Sequence, residues 1–360
     1  PAYLGVVAEP PWLARQQRVT TTRLGVVDPC SATDYEAHGG WVGLRRALSM
    51  TPGEVIEAVL ESGLRGRGGA GFPTAIKWRT VAGAPGPLKF VCANADEGDS
   101  GTFADRMLIE GDPFSTIEGM LIAAYAVGAS EGFVYIRSEY PHAVHAMSRA
   151  VDVAREAGFL GRDILGSGLD FDLEIRVGAG AYICGEETSM LNSIEGRRAE
   201  VRSKPPIPAL SGLFGLPTVV NNLLTLATVP GILADGPEAY AALGTERSRG
   251  TQLFQLAGNV ARGGLIETGF GVTLRELVED IGGGGAAVTV AVVAVLGWMA
   301  NRALKRVEAG SGCVEHRDIF LRQITRILAH LGQHILAQDG GRDRPGGIEG
   351  EVGDRRAQRR

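Results

Sequence analysis

The sequence predicts an α/β fold with a largely parallel sheet, to which a small β-grasp-like α+β unit is appended. Short segments of β-branched and aromatic residues, typical of buried strands, alternate with longer segments of helical periodicity. Such alternation is typical of βαβ units and therefore of parallel strands. From residue 252 the order changes to strand, turn, strand and helix, which favours a separate β-grasp-like unit at 246–284.

Each element follows from the local pattern. Residues 1–40 are rich in turn formers and predict irregular structure, whereas Thr51-Pro52 is a typical helix start and Thr273 a typical N-cap. The predicted helices are 41–48, 52–62, 113–127, 142–158 and 273–281, with a further helix that starts near Glu186. The predicted strands are 89–93, 132–137, 173–177, 252–256 and 265–267.

The sequence changes character after the glycines at 282–285. Residues 286–300 carry no charge and are rich in valine and alanine, but they are fewer than the ~20 residues that a membrane-spanning helix needs. We therefore expect a strand here and no integral membrane span. A helix is predicted at 319–336, and the charged, glycine-rich residues 338–360 predict a disordered tail.

Composition argues against several classes of function. Apolar residues make up 44% of the 360, enough for a sizeable core, and the net charge of −5 argues against a nucleic-acid-binding protein. No C-x-x-C pair occurs, so the spacing indicates no metal site and favours reduced thiols in the cytoplasm. The four cysteines are Cys30, Cys92, Cys184 and Cys313. No signal peptide opens the chain, which starts at Pro1 and is interpreted as a fragment or a processed product.

Residues 62–78, SGLRGRGGAGFPTAIKW, are the most informative segment for function. Residues 65–71 comprise four glycines, two arginines and one alanine, so they cannot contribute to a core. Backbone N–H groups without side chains can approach a flat anionic ligand closely, and Lys77 follows within reach of a phosphate. A nucleotide-type cofactor is the natural partner, although the segment is not a conventional G-x-G-x-x-G fingerprint.

The second segment, 92–106, places Asn94, Asp96, Glu97, Asp99 and Asp105 directly after a predicted strand. Ligands of open α/β sheets bind beyond the carboxyl ends of the strands, where carboxylates can accept hydrogen bonds from ribose or ribityl hydroxyls. An acidic, solvated loop with turn-forming aspartates explains the same composition.

The third segment, 178–196, is a glycine-rich turn leading into a helix. Tyr182 can lie against a ring system, and Gly185 permits close approach. One of the two carboxylates Glu186 and Glu187 is expected to cap the helix, and the other can tune a redox centre or relay a proton. Cys184 is interpreted as a small buried thiol.

The fourth segment, 202–226, contains Lys204 before two prolines and the pair Asn221-Asn222. The lysine can reach a nucleotide phosphate, and the amides can bond a heterocycle edge or a phosphate. Turn and cap chemistry is the common alternative for paired asparagines.

Taken in order, these segments resemble the NADH-binding, FMN-carrying subunit of respiratory complex I and its soluble relatives, over about residues 12–283. Within that family the chain is most similar to the β (diaphorase) subunit of soluble NAD-dependent molybdenum formate dehydrogenase. The stretches that carry this similarity are ADEGDSGTFADRMLIEGDPF, YIRSEYPHA and FQLAGNVARGGLIE.

The resemblance implies a Rossmann-like FMN/NAD(H)-binding domain at 51–245, after an N-terminal extension and helix at 1–50, and an SLBB-like β-grasp unit at 246–284. The residues implied to line the FMN and nucleotide cleft are Gly66, Arg67, Gly68, Gly69 and Lys77. Those implied around the flavin and nicotinamide rings are Asn94, Asp96, Glu97, Tyr182, Gly185, Glu186 and Glu187, of which Glu97, Tyr182, Glu186 and Glu187 are the catalytic candidates. Those implied for the FMN phosphate side are Val220, Asn221, Asn222 and Thr225. Those implied to hold the dinucleotide are Phe72, Asp99 and Lys204, and the Phe72 ring is implied to stack on the adenine.

The chain departs from the family in three places. Two aromatic residues expected near the adenine are replaced by Thr80 and Ile207. The cysteine motif for the family's [4Fe–4S] cluster is absent, because only Cys313 follows Gly282, and residues 285–337 do not match the family. A shifted reading frame or a truncation with unrelated sequence appended explains both features of the C-terminal part. The thioredoxin-like [2Fe–2S] domain of formate dehydrogenase β subunits is also absent before Pro1.

The resemblance implies a cytoplasmic NAD(H):FMN oxidoreductase that exchanges electrons with iron–sulfur partners, namely a thioredoxin-like [2Fe–2S] protein and a molybdenum subunit. It predicts a place in NAD-dependent formate dehydrogenase. The alternatives are the same role in complex I or in an NAD-linked hydrogenase, or a truncated, inactive remnant without the cluster domain.

Overall fold

A computed structural model describes residues 14–99 and 101–284 and places four strands in one parallel sheet. The strands are β1 (Phe90–Ala95), β2 (Glu131–Arg137), β3 (Asp172–Gly178) and β4 (Thr218–Asn222). Their spatial order is β3-β2-β1-β4, so β1 lies inside the sheet and pairs with both β2 and β4. Asn94 of β1 is in register with Asn222 of β4, which brings the carboxyl ends of these two strands together. The α/β class predicted from the sequence is confirmed.

Eleven α-helices are found among the described residues. They are α1 (Ala32–Ala37), α2 (Val42–Leu48), α3 (Pro52–Glu61), α4 (Thr74–Gly83), α5 (Ala104–Gly111), α6 (Pro113–Val127), α7 (Pro141–Glu156), α8 (Glu187–Ile194), α9 (Pro208–Ser211), α10 (Leu223–Asp235) and α11 (Pro237–Ala241). Short 3-10 turns are Ile164–Gly166, Tyr182–Gly185 and Leu213–Gly215.

The two faces of the sheet bury different side chains because successive residues of a strand point to opposite sides. Val91 and Ala93 of β1 join the larger cluster, which includes α6 and α10. Phe90 and Cys92 face the other way and pack with Met190 and Leu191 of α8 and with neighbouring side chains of β2 and β4. Helices therefore cover both faces, as a buried parallel sheet requires.

Several elements differ from the sequence predictions. Helix α1 lies in a segment predicted to be irregular; Ser31 caps it by accepting from the Asp34 N–H at 3.1 Å. Strand β4 and helices α4, α5, α9, α10 and α11 are absent from the sequence prediction. Helix α10 is apolar on nearly all sides and contains Pro230, so it shows neither the amphipathic period nor the uninterrupted interior that identifies a helix.

The predicted strand, turn, strand and helix are found at 251–281. Strands β7 (Thr251–Leu256) and β8 (Gly264–Gly269) pair antiparallel, and a short ribbon of β5 (Gly244–Thr245) and β6 (Ser248–Arg249) precedes them. The helix has π geometry at Glu276–Ile281. The Thr273 hydroxyl accepts from the Glu276 N–H, and the Glu276 carboxylate accepts from the Thr273 N–H, which together form a capping box. The domain boundaries and the β-grasp assignment stay predictions.

The elements predicted for residues 286–360, and Cys313, lie outside the described residues. Within residues 14–99 and 101–284, no helix is long and apolar enough to cross a lipid bilayer.

Candidate functional site

The four segments singled out in the sequence meet at the carboxyl ends of β1 and β4. Asn94 bridges from β1 to the third segment, since its side-chain amide donates to the Gly185 carbonyl oxygen at 2.9 Å. Lys77 connects the first segment to the fourth and third, because its Nζ donates to the Val220 carbonyl oxygen at 2.6 Å and lies 3.4 Å from a Glu187 carboxylate oxygen. Residues 77, 94, 187 and 220 thus surround one site.

The glycine-rich loop is anchored through Arg67, and two of its four glycines are exposed. The Arg67 N–H donates to the Thr225 hydroxyl at 2.9 Å, and the guanidinium donates to the Arg249 carbonyl oxygen at 2.8 Å. The same guanidinium also donates to the Tyr240 hydroxyl and lies 4.8 Å over the Phe270 ring. Gly68 and Gly69 are exposed. The Arg67 side chain therefore fixes the loop to the β5–β8 region, and residues 68 and 69 lie at the exposed surface of the loop.

A buried polar chain leads inward from this loop. A Cβ added at Gly68 would lie 2.8 Å from the Asn222 Cβ, so only glycine lets the loop approach β4 this closely. The Asn222 amide donates to an Asp105 carboxylate oxygen at 3.0 Å, and the Asp105 N–H donates to the Glu97 carboxylate at 2.8 Å. The contacts Gly68–Asn222–Asp105–Glu97 define what we call the buried chain, after its buried member Asp105; Asn222 and Glu97 are half-buried, and Gly68 is exposed.

Glu97 and Asp105 form a carboxyl pair with raised pKa values. Burial raises the pKa of Glu97, although N–H donors of the first turn of α5, including those of Asp105 and Arg106, and the nearby Arg137 guanidinium act against it. Burial and then the charge of Glu97 raise the pKa of Asp105 well above its ordinary value. Two like charges this close to each other are unfavourable, so the pair retains a proton at higher pH than separate carboxyls would. Glu97 also has a positive φ of 42°, an uncommon conformation for a non-glycine residue.

The opposite side of the site carries what we call the ion-paired cluster of Lys77, Lys204, Glu186 and Glu187. The Glu186 carboxylate caps α8 by accepting from the Thr188 and Ser189 N–H groups, each at 2.9 Å. Lys204 Nζ donates to Glu186 at 3.0 Å and to Glu187 at 2.7 Å. Burial alone would raise the pKa of Glu186, but the bonds from Thr188, Ser189 and Lys204 lower it overall. The Glu186 side chain is therefore the predicted structural cap, and Glu187 carries no cap bond among the described contacts.

Aromatic side chains and Asp99 lie at the exposed rim. Tyr182 is 70% exposed, and its hydroxyl donates to the Asp99 carboxylate at 2.9 Å. The bond to the Asp99 carboxylate raises the pKa of Tyr182. Phe72 is 43% exposed at the end of the glycine-rich loop. A planar ligand can therefore contact either ring without displacing core residues.

Asn221 and Asn222 have different partners because adjacent strand residues point to opposite faces. The buried Asn221 accepts from the Trp78 indole N–H at 3.0 Å, a contact to α4, and only Asn222 joins the buried chain. The structure therefore brings Asn222, Thr225 and the Val220 carbonyl to the site and directs the Asn221 side chain to α4.

Two polar residues near the site are not among the predicted site residues. The sequence places Asp105 in the acidic segment without a specific role, and it places Arg137 only at the end of a strand. The Arg137 guanidinium donates to the Glu97 carbonyl oxygen at 2.9 Å and to Glu139. Its position at the carboxyl end of β2 was the available signal. Across the part of the chain that the structure describes, no group of three or more His, Cys, Asp or Glu is placed to hold a metal ion.

The chain is similar to several known proteins. Residues 59–231 match the family model described as the Nuo51 FMN-binding domain. The chain is 51% identical over 270 residues to NADP-reducing hydrogenase subunit HndC of Solidesulfovibrio fructosivorans, which covers 75% of this chain and 55% of that protein. It is 51% identical over 267 residues to the F 2 subunit of NADH-quinone oxidoreductase from Rhizobium meliloti, which covers 74% of this chain and 63% of that protein.

A solved structure, the NAD⁺-reducing [NiFe]-hydrogenase in the H₂-reduced state, matches with a TM-score of 0.64 and 37% identity. The match covers 73% of this chain and 43% of that one. The chain thus spans 55% and 63% of the length of the two curated relatives above.

Proposed function

We propose that the chain is an NADH-binding, FMN-carrying flavoprotein subunit that moves a hydride between NAD(H) and FMN and exchanges electrons with iron–sulfur partners. The observation that carries this proposal is that four separate segments meet at the carboxyl end of a parallel sheet. The contacts within and between these segments involve Gly68, Glu97, Glu187 and Asn222. Open α/β sheets bind nucleotide ligands in this location.

The residues present are chemically suited to FMN and a dinucleotide. Gly68, Gly69 and Gly185 are exposed, so ring or phosphate atoms can approach the backbone without meeting side chains. Lys77 and Lys204 supply positive charge for phosphates, and the amide of Asn94 and the carboxylate of Asp96 offer partners for hydroxyl groups. FMN, when bound, supplies a centre that takes up a hydride and releases electrons singly.

The task of the chain's own residues is positioning and charge balance. The anchored loop exposes Gly68 and Gly69 to the ligand, and the Tyr182 and Phe72 rings offer flat surfaces for a flavin and an adenine. Glu187, with its carboxylate shared between Lys77 and Lys204, is placed to exchange one of these cation partners for a ligand hydroxyl or amide.

For the parent complex we propose a soluble NAD-dependent formate dehydrogenase in the cytoplasm, with a thioredoxin-like [2Fe–2S] protein and a molybdenum subunit as partners. The stretches at 95–114, 135–143 and 254–267 favour this branch. The relatives favour a second candidate, the same flavoprotein role in an NADH-quinone oxidoreductase or a hydrogenase. Reconstitution with the partner subunits of each complex distinguishes the two: NAD⁺ reduction with formate supports the first, and NAD⁺ reduction with hydrogen or NADH oxidation with a quinone supports the second.

The proposal is tested by FMN binding and by NADH-dependent ferricyanide reduction. We expect the purified chain to quench FMN fluorescence saturably and to reduce ferricyanide with NADH. Lys77→Met removes a charge-assisted contact and should weaken FMN binding by about ten- to a hundredfold. Arg79→Met, on the exposed side of the same helix, is the control and should bind FMN as the wild type does. A folded wild-type chain that neither binds FMN nor reduces ferricyanide would disprove the proposed function.

A further inference from the structure

Tyr240 of α11 is a buried residue outside the four site segments, and its side chain contacts the glycine-rich loop. The residue is 3% exposed, and its hydroxyl accepts a hydrogen bond from the Arg67 guanidinium at 2.5 Å. Because the loop borders the candidate site and α11 belongs to none of the site segments, this contact connects the site to a part of the fold outside it.

The tip of this loop depends on the residues beside it for its position. Gly69 and Gly71 have positive φ values of 106° and 58°. Glycine loses more conformational freedom on ordering than any other residue, so a glycine-rich tip must be held by its neighbours. The Gly66 N–H donates to the Phe72 carbonyl oxygen at 2.9 Å and closes the base of the loop. Arg67 lies between this base and the tip, so its contacts can set where the tip lies.

Three groups surround the Arg67 guanidinium. The Tyr240 hydroxyl and the Arg249 carbonyl oxygen accept from it at 2.5 and 2.8 Å, and its Cζ lies 4.8 Å from the centroid of the Phe270 ring. A planar guanidinium can use several donors and its flat face at once, so the three contacts together favour one orientation. The Arg67 N–H donates to the Thr225 hydroxyl at 2.9 Å, so the backbone and the side chain of this one residue are both held.

Close packing fixes the Tyr240 ring in place. A Cβ added at Gly250 would lie 1.9 Å from a ring carbon of Tyr240, and Gly250 has a positive φ of 75°. The ring therefore lies directly against the backbone of residue 250, at a position that only glycine fits. Since the ring is already ordered, its hydroxyl loses little further freedom when it accepts from the guanidinium. Loss of the hydroxyl would leave a half-buried donor without its acceptor.

We propose that Tyr240 and Phe270 are positioning residues for flavin binding: they act through Arg67 and hold the glycine-rich loop in the conformation that accepts FMN. The inference rests on the proposed function and extends it, because it assigns part of the affinity for FMN to side chains outside the four site segments. The Arg67 guanidinium then serves to anchor the loop.

The experiment compares Tyr240→Phe with Tyr125→Phe in FMN titrations of the full chain, with urea unfolding as the measure of stability. Each substitution removes one hydroxyl and keeps the ring; the Tyr125 hydroxyl donates to the Met50 carbonyl oxygen at 2.6 Å, a contact outside the site segments. We expect Tyr240→Phe to weaken FMN binding about tenfold, as loss of a bond to a charged group predicts, and Tyr125→Phe to bind FMN as the wild type does. A hydroxyl with a purely structural role would change stability and leave the affinity for FMN unchanged.

A double-mutant cycle tests whether Tyr240 acts through Arg67. Arg67→Met should weaken FMN binding by about tenfold or more, and Tyr240→Phe should cause no further loss in that background, because the effects of residues that share one contact are not additive. Phe270→Leu removes only the ring below the guanidinium and should weaken FMN binding about threefold. This variant tests the inference by itself if Tyr240→Phe does not fold.

A folded Tyr240→Phe that binds FMN as tightly as the wild type would overturn this inference. Equal losses from Tyr240→Phe in the wild-type and Arg67→Met backgrounds would do the same, as would unchanged FMN binding by Phe270→Leu. Each of these results leaves the flavin site itself in place. A folded wild-type chain that binds no FMN would instead overturn the proposed function.

Discussion

Glu97 and Glu186 perform the same structural task on opposite sides of the candidate site, with opposite electrostatics. Each carboxylate accepts N–H groups at the start of a helix, Glu97 at α5 and Glu186 at α8. Glu186 is also paired with Lys204 and has a lowered pKa, whereas Glu97 is next to Asp105 and has a raised one. The comparison shows that a helix N-terminus alone does not decide in which direction the pKa of its cap shifts: burial raises the pKa of Glu97, whereas the bonds from Thr188, Ser189 and Lys204 lower that of Glu186.

The difference extends to the surroundings of each glutamate. The ion-paired cluster is open to solvent, with side chains of Lys204 and Glu186 that are 36% and 31% exposed. The buried chain is packed from the Gly68 loop to α5, and Asp105 is 3% exposed. Substitutions that disturb the packing around Asn222 and Asp105 should therefore have the larger effects on stability.

The largest effect is expected from Gly68→Ala, which places a methyl group 2.8 Å from the Asn222 Cβ. Loop and strand must separate, which should cost about 1–3 kcal/mol of stability and should weaken FMN binding at least about tenfold, since 1.4 kcal/mol corresponds to that factor. Urea unfolding and FMN titration measure the two quantities. Gly53→Ala is the control, because nothing lies within 4 Å of a Cβ added there. Equal stability of Gly68→Ala and the wild type would show that the buried chain is not tightly packed.

A smaller effect is expected from Asp105→Asn, and it depends on pH. The folded-state pKa of Asp105 lies above its unfolded value, so its contribution to stability is present at low pH and is lost as pH rises through the folded-state pKa. The asparagine cannot ionise, so the variant should be more stable than the wild type at pH 8 by about 1 kcal/mol and no more stable at pH 4. Free energies of unfolding from pH 4 to pH 8 test this, and a variant that is less stable than the wild type at pH 8 contradicts it.

The smallest effects on stability are expected from Glu97→Gln and Glu186→Gln at pH 7. Only Glu186→Gln should lower the free energy of unfolding. Glu186→Gln loses half-exposed ion pairs and should destabilise by less than about 1 kcal/mol. Glu97→Gln relieves repulsion with Asp105 and should leave stability unchanged or slightly higher. The effect of Glu186→Gln should also shrink in 1 M salt, as screening predicts. Destabilisation of the same size by both substitutions would remove the distinction drawn between the two sides.

Much of the fold could be predicted from the sequence, and the elements that could not be predicted were missed for physical reasons. Strands β1, β2 and β3 and helices α3, α6 and α7 are predicted nearly to the residue, because each has a clear apolar pattern and turn residues at its ends. Strand β4 and helix α10 escape prediction, since one follows the other directly and α10 is apolar on nearly all its sides, so that no helical period separates the two elements. Their burial between β1 and α6 is a property of the assembled fold.

The sequence by itself determined which segments form the site, because glycine-rich turns and polar residues after strands are local features of the chain. Only the tertiary structure decided what each side chain does there. Lys77 meets Glu187 across 110 residues and Asn222 meets Asp105 across 117. Protonation and hydrogen bonding depend on burial and on charges within a few ångströms, and residues so far apart in the chain become neighbours only when the sheet brings its carboxyl ends together.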